Sequence, residues 1–186
     1  MQPANAWTAV VRGAVLHGLE VTELVLARKA RRHYGVRFND IFDPSKHPEG
    51  RKVIGLDDRL RVSDQMEWYI KKGQTVSSTR PIIFTFHRSL RASDSRKISD
   101  ALIVCDSDNA PDVYDRSVGA PTRNLCTLSA DLADVPKRFW IDYINKSGEK
   151  IKRLEYQLGM YIDGGGLRHD LRVDGVVYGE VMASFD

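Results

Sequence analysis

The side chains that most often carry chemistry are few in this chain, and none stands at a working spacing. The five histidines are scattered at 17, 33, 47, 87 and 169, without the short intervals by which paired histidines hold zinc. Each reads as a surface or satisfied histidine. Asp106, Asp108, Asn109 and Asp112 look at first like a cation loop. Pro111 occupies the place of the required glycine, and no bidentate glutamate closes the loop, so an acidic turn ending a strand is expected. Gly164-Gly165-Gly166 lies between two alternating runs, whereas a phosphate cradle needs a helix N-terminus; it reads as a hairpin loop. Cys105 and Cys126 sit in apolar runs with no basic neighbour to lower a thiol pKa, and read as reduced core residues. There is no G-x-x-x-x-G-K-[ST], G-x-S-x-G, H-E-x-x-H or C-x-x-C. No catalytic, metal or cofactor-binding residue is assigned, and a binding module is expected rather than an enzyme.

Charge offers a second lead. Residues 1–100 carry 18 Lys/Arg against 11 Asp/Glu, and the remainder 10 against 14, for a net charge of +3. The excess centres on Arg28-Lys29-Ala30-Arg31-Arg32-His33. Such a run attracts phosphates or acts as a nuclear address. Without interleaved aromatics or a zinc signature it reads first as a solvated basic segment beside a domain boundary. Nucleic-acid binding through 28–33 is the alternative. No stretch approaches the ~18 apolar residues of a membrane helix, and no basic n-region marks a signal peptide. A cytoplasmic location is expected, with a nuclear one left open by the basic run.

The elements that must position any site follow from periodicity. In the 186 residues, 42% of them apolar, Trp7, Val10, Val11, Ala14, Val15 and Leu19 mark one stripe of a helix over 7–19. Beyond it the period becomes two. Alternating runs fall at 66–70, 81–86, 101–105, 124–128, 138–144, 151–162, 167–173 and 176–185. Asp174-Gly175 between the last two is a hairpin signal, because a two-residue loop needs positive φ. These spacings predict a mainly β fold, an antiparallel β-sandwich or barrel preceded by one N-terminal α-helix. Residues 39–65 and 88–99 read as long loops.

Read in order, several segments resemble the seventy-kilodalton heat-shock chaperones (the DnaK-like family), above all their divergent lid-less members. Thr8-Ala9-Val10-Val11-Arg12-Gly13-Ala14-Val15 is similar to the motif opening the last helix of their ATPase domain. Glu23-Leu24-Val25-Leu26 resembles the interdomain linker, and His33-Tyr34-Gly35-Val36 the start of the substrate-binding β-sandwich. Ile70 to Val76, Ala101 to Asp106, Leu125 to Pro136 and Val173 to Phe185 resemble later segments of that sandwich.

The resemblance implies a division into a remnant ATPase helix (1–20), a linker (21–32) and a substrate-binding-type sandwich (33–186). It implies capture of unfolded or extended polypeptide clients, with Phe84, Leu102 and Val104 as pocket residues. It also implies an ATPase domain packing on helix 7–19. ATP and Mg²⁺ belong to a full-length parent, since the phosphate loops have no counterpart here. The chain is therefore expected to be the C-terminal part of a larger protein. An interaction domain without a peptide groove is the other reading, because residues 37–65 replace the loop that should arch over a peptide.

Overall fold

A computed structural model describes residues 11–12, 15, 27–77, 79–117, 119–162 and 167–184. Val11, Arg12 and Val15 have helical backbone; the rest of the helix expected over 7–19 and the linker residues Glu23, Leu24, Val25 and Leu26 lie outside the described residues. Twelve strands follow: β1 (Ala27–Lys29), β2 (His33–Ile41), β3 (Lys52–Ile54), β4 (Leu60–Ile70), β5 (Thr75–Ser77) and β6 (Ile82–Arg91). Then come β7 (Lys97–Cys105), β8 (Thr122–Asp131), β9 (Trp140–Ile144), β10 (Lys150–Ile162), β11 (Leu167–Val173) and β12 (Val176–Ser184).

Every pairing is antiparallel, and the main path runs β3-β4-β2-β7-β8-β12-β11-β10-β6, with β9 attached to β10. The strand β12 turns the corner: Val176 to Val181 pair with β11, and Met182 to Ser184 with β8. The path therefore folds into two layers around one core. Ile70, Leu102 and Leu128 from the β2-β4-β7-β8 layer pack with Phe84, Leu154, Tyr156 and Leu171 from the β6-β10-β11 layer. This architecture is mainly β and antiparallel, and is consistent with a β-sandwich.

Local chemistry explains several elements. On β10, Leu154, Tyr156, Leu158 and Met160 are all buried, the period-two face expected of a half-buried strand. Asp174 and Gly175 take φ of 51° and 76° and join Val173 to Val176 across a tight hairpin, as their spacing predicts. Residues 39–65 and 88–99 are not the long loops expected. The former supplies the end of β2, all of β3 and the start of β4, and the latter the end of β6 and the start of β7. Charged residues mask strand periodicity there, because those strands keep one face in solvent. Within the expected linker, Ala27–Lys29 forms β1 and pairs with β5.

Candidate functional site

The segment Trp140-Ile141-Asp142-Tyr143-Ile144 is rich in aromatic and β-branched residues, which favour a pleated, half-buried surface. Trp140 anchors it: the ring is buried, and Nε1 donates to the Val135 carbonyl at 3.4 Å. On one side β9 pairs with β10, Trp140 opposite Leu154 and Ile144 opposite Lys150. Among the described residues no strand pairs with its other side. An unpaired edge offers main-chain donors and acceptors to another strand. Ile141 and Ile144 on that edge strand are 65% and 67% exposed.

A groove of about 400 Å³ lies against the β9-β10 ladder, lined by Ala92, Asp142, Tyr143, Ile144 and Lys150 to Lys152. Its walls are tied down. Lys152 Nζ meets Asp142 Oδ1 at 2.7 Å, and the Tyr143 hydroxyl donates to Ser89 Oγ at 3.4 Å. The following turn is held by Asn145 Nδ2 donating to the Leu56 carbonyl at 3.3 Å and by the Lys146 amide donating to Asp58. The groove holds no nucleophile–base pair, and among the described residues no group of His, Cys, Asp and Glu could hold a metal ion.

The three residues expected to form a peptide pocket lie elsewhere. Phe84, Leu102 and Val104 are 7%, 1% and 0% exposed, and Phe84 and Leu102 belong to the central core. The strands β6 and β7, consecutive in sequence, sit in different layers, so Phe84 faces Leu102 across the sandwich instead of beside it. The cavity they share with Tyr69, Phe86, Leu158 and His169 measures about 10 Å³, room for a water at most and for no peptide side chain. All three are core side chains in this structure. A central strand covered on both faces leaves no open groove at Val104.

His169 was one of five scattered histidines in sequence. It is 2% exposed, and neither ring nitrogen has a hydrogen-bond partner. Burial pushes its pKa down to about 4, against a smaller opposite pull from Asp170. His33 is differently placed: Nδ1 accepts from the Lys72 amide at 3.3 Å, and Nε2 donates to the Ser107 carbonyl at 3.1 Å. The two bonds together suit the tautomer with its proton on Nε2.

The acidic segment 106–112 closes β7 as expected. Two of its carboxylates face cations, Asp106 near Arg32 at 3.3 Å and Arg123 at 3.5 Å, and Asp108 on Lys72 at 2.7 Å. The Lys72 ammonium accordingly holds the Asp108 carboxyl below its usual range. Cys105 and Cys126 are buried and not joined in a disulfide.

Sequence reading missed the free edge of β9. The strand itself was visible; its position on the rim was not, because edge status depends on which strands pair.

Residues 28–174 match the family described as Domain of unknown function (DUF8568). No curated protein and no solved structure matches the chain. Since the matched span runs from within β1 through the whole of β11 and covers most of the sequence, the protein belongs to the DUF8568 family.

Proposed function

We propose that this domain is a non-enzymatic binding module that captures extended apolar polypeptide segments by strand addition along β9. The observation that carries the reading is the unpaired edge of β9, with Ile141 exposed on it and Ile144 exposed at the groove. In this recognition mode main-chain hydrogen bonds supply affinity, and pockets for alternate side chains supply specificity. The resemblance to the heat-shock-70 substrate-binding sandwich supports the same ligand class, with contact moved from Phe84, Leu102 and Val104 to the sandwich rim. A groove of this size falls within the range of ~300–1,000 Å³ typical of ligand sites. Burying one Leu or Ile of a client removes about 100–150 Å² from water, roughly 3 kcal/mol before association costs, so micromolar affinity is expected.

The test is fluorescence anisotropy of a labelled Ile- and Val-rich peptide against the wild type and the Ile141→Lys/Ile144→Lys variant. Charges on an edge strand block pairing, and both positions are exposed, so the fold is retained. Micromolar binding by the wild type and loss in the variant supports the proposal. Equal binding by both proteins, or none by either, refutes it.

A further inference from the structure

The short strand β1 pairs with β5 alone, forming a two-stranded ribbon off the main path, with Arg28 opposite Val76 and Lys29 opposite Thr75. Main-chain bonds extend it: the Ala30 amide donates to the Gln74 carbonyl at 2.9 Å, and the Gly73 amide to the Ala30 carbonyl at 2.8 Å. The turn after β4, carrying Lys71 and Lys72, is thereby folded against Arg31. Ala30 and Val76 are buried and fix the inner face of the ribbon. Alternation places Lys29, Thr75 and Ser77 on the outer face. Pairing thus brings together cations that stand about forty residues apart in the sequence.

These cations fall into two groups. Lys72 and Arg32 are held by Asp108 and Asp106 and tie the base of the ribbon to the 106–112 loop. Arg28, Lys29, Arg31, Lys71 and Arg80 are exposed, and none of the five forms an ion pair among the described residues. An exposed cluster of cations attracts an anionic partner.

We propose that the β1-β5 ribbon is a docking surface for duplex DNA, bound through its phosphates without sequence selection. Three features select this partner. A two-stranded antiparallel ribbon has the width that the major groove admits. The outer-face hydroxyl of Thr75 stands opposite Lys29, and such groups are regular phosphate donors. No exposed large apolar or aromatic side chain stands among the described residues of 27–33 and 71–80. A membrane-surface site needs such anchors, and a single-strand site needs stacking platforms. The ribbon lies almost wholly within the DUF8568 match, which begins at residue 28.

The experiment uses the full chain and a fluorescein-labelled 20-base-pair DNA duplex of mixed sequence, titrated by anisotropy from 50 to 200 mM NaCl. With four or five phosphates contacted, the log–log salt slope is about −4, a fall in affinity on the order of 10²-fold across that range. The Lys29→Gln/Arg31→Gln/Lys71→Gln variant should flatten the slope by about 1 per residue replaced. Lys97→Gln/Lys137→Gln/Lys146→Gln removes the same charge from exposed positions outside the ribbon and should leave the slope unchanged. Melting temperatures establish that both variants are folded, and Lys29→Gln alone serves if the triple ribbon variant is not. The proposal is overturned if no duplex binding appears at 50 mM NaCl, or if the control triple variant weakens binding as much as the ribbon variant. It is equally overturned if a single-stranded oligomer, or vesicles of phosphatidylcholine and phosphatidylserine, are bound in preference to the duplex.

Discussion

Tyr69 on β4 and Phe84 on β6 stack with ring centroids 3.7 Å apart and planes 20° from parallel, joining strands from opposite layers of the sandwich. Phe86 continues the contact onto Tyr156 at 5.4 Å. The Tyr69 hydroxyl is carried into the interior by this stack and has no hydrogen-bond partner there. Burial, with smaller pushes from Glu67, Tyr156 and Asp100, raises its pKa well above the ordinary phenol value. An unsatisfied buried hydroxyl costs about 1–3 kcal/mol, whereas the ring contributes the packing. Tyr69→Phe should therefore leave stability equal or about 1 kcal/mol higher by urea denaturation, while Tyr69→Ala should lose about 3–5 kcal/mol. A clear loss in the phenylalanine variant would mean that the hydroxyl is satisfied, and would sink the prediction.

His169 gives the fold a defined acid sensitivity. Its folded pKa of about 4 lies below the ordinary imidazole value of about 6.5, so the native state holds the ring neutral. The unfolded chain binds the proton more readily, and the stability contribution is complete above about pH 6.5. It is lost as pH falls from there toward 4, by about 3 kcal/mol in total. Thermal melts across pH 4–7 should show this decline, and His169→Leu should flatten it. An unchanged slope in the variant would assign the effect to another group.

Gly159 is required by its neighbour across the ladder. A Cβ there would meet the Asp170 carboxylate, whose position is pinned by Arg172 Nε at 2.8 Å and the Tyr161 hydroxyl at 3.0 Å. Burial alone would raise the Asp170 carboxyl, but bonds from Arg172 and Tyr161 hold it below its usual range. Gly159→Ala should cost about 1–3 kcal/mol through this crowding. In the double variant with Asp170→Ala the two costs should be less than additive, which equilibrium denaturation of all four proteins would measure.

The β11-β12 hairpin separates side-chain space from backbone strain. A Cβ at Gly175 would meet nothing within 4 Å, but φ there is +76°. Gly175→Val should cost about 1–2 kcal/mol from conformation alone, because β-carbons resist the left-handed region. Asp174→Asn, with φ at +51°, should be neutral, since asparagine suits the same turn. Equal melting temperatures for the valine variant and the wild type would contradict the assigned turn.

The sequence by itself determined the mainly β character, the β10 face of Leu154, Tyr156, Leu158 and Met160, and the Asp174-Gly175 hairpin. These rest on interactions between residues two to four apart, so periodicity and turn chemistry report them directly. It also carried the basic run at 28–33, because charge is a property of composition. Tertiary structure decided the rest. Alternation showed that Leu102 and Val104 are apolar strand residues, but not that β2 and β8 flank them and bury them. Whether β9 is interior or rim depends on its non-local pairing with β10. Lys71 joins Arg28 and Arg31 only because β1, read as linker, pairs with β5. His169 became a buried neutral group through the opposite layer packed over it. Strand order and layer closure are set by contacts between distant residues, whose cost in chain entropy no local pattern encodes.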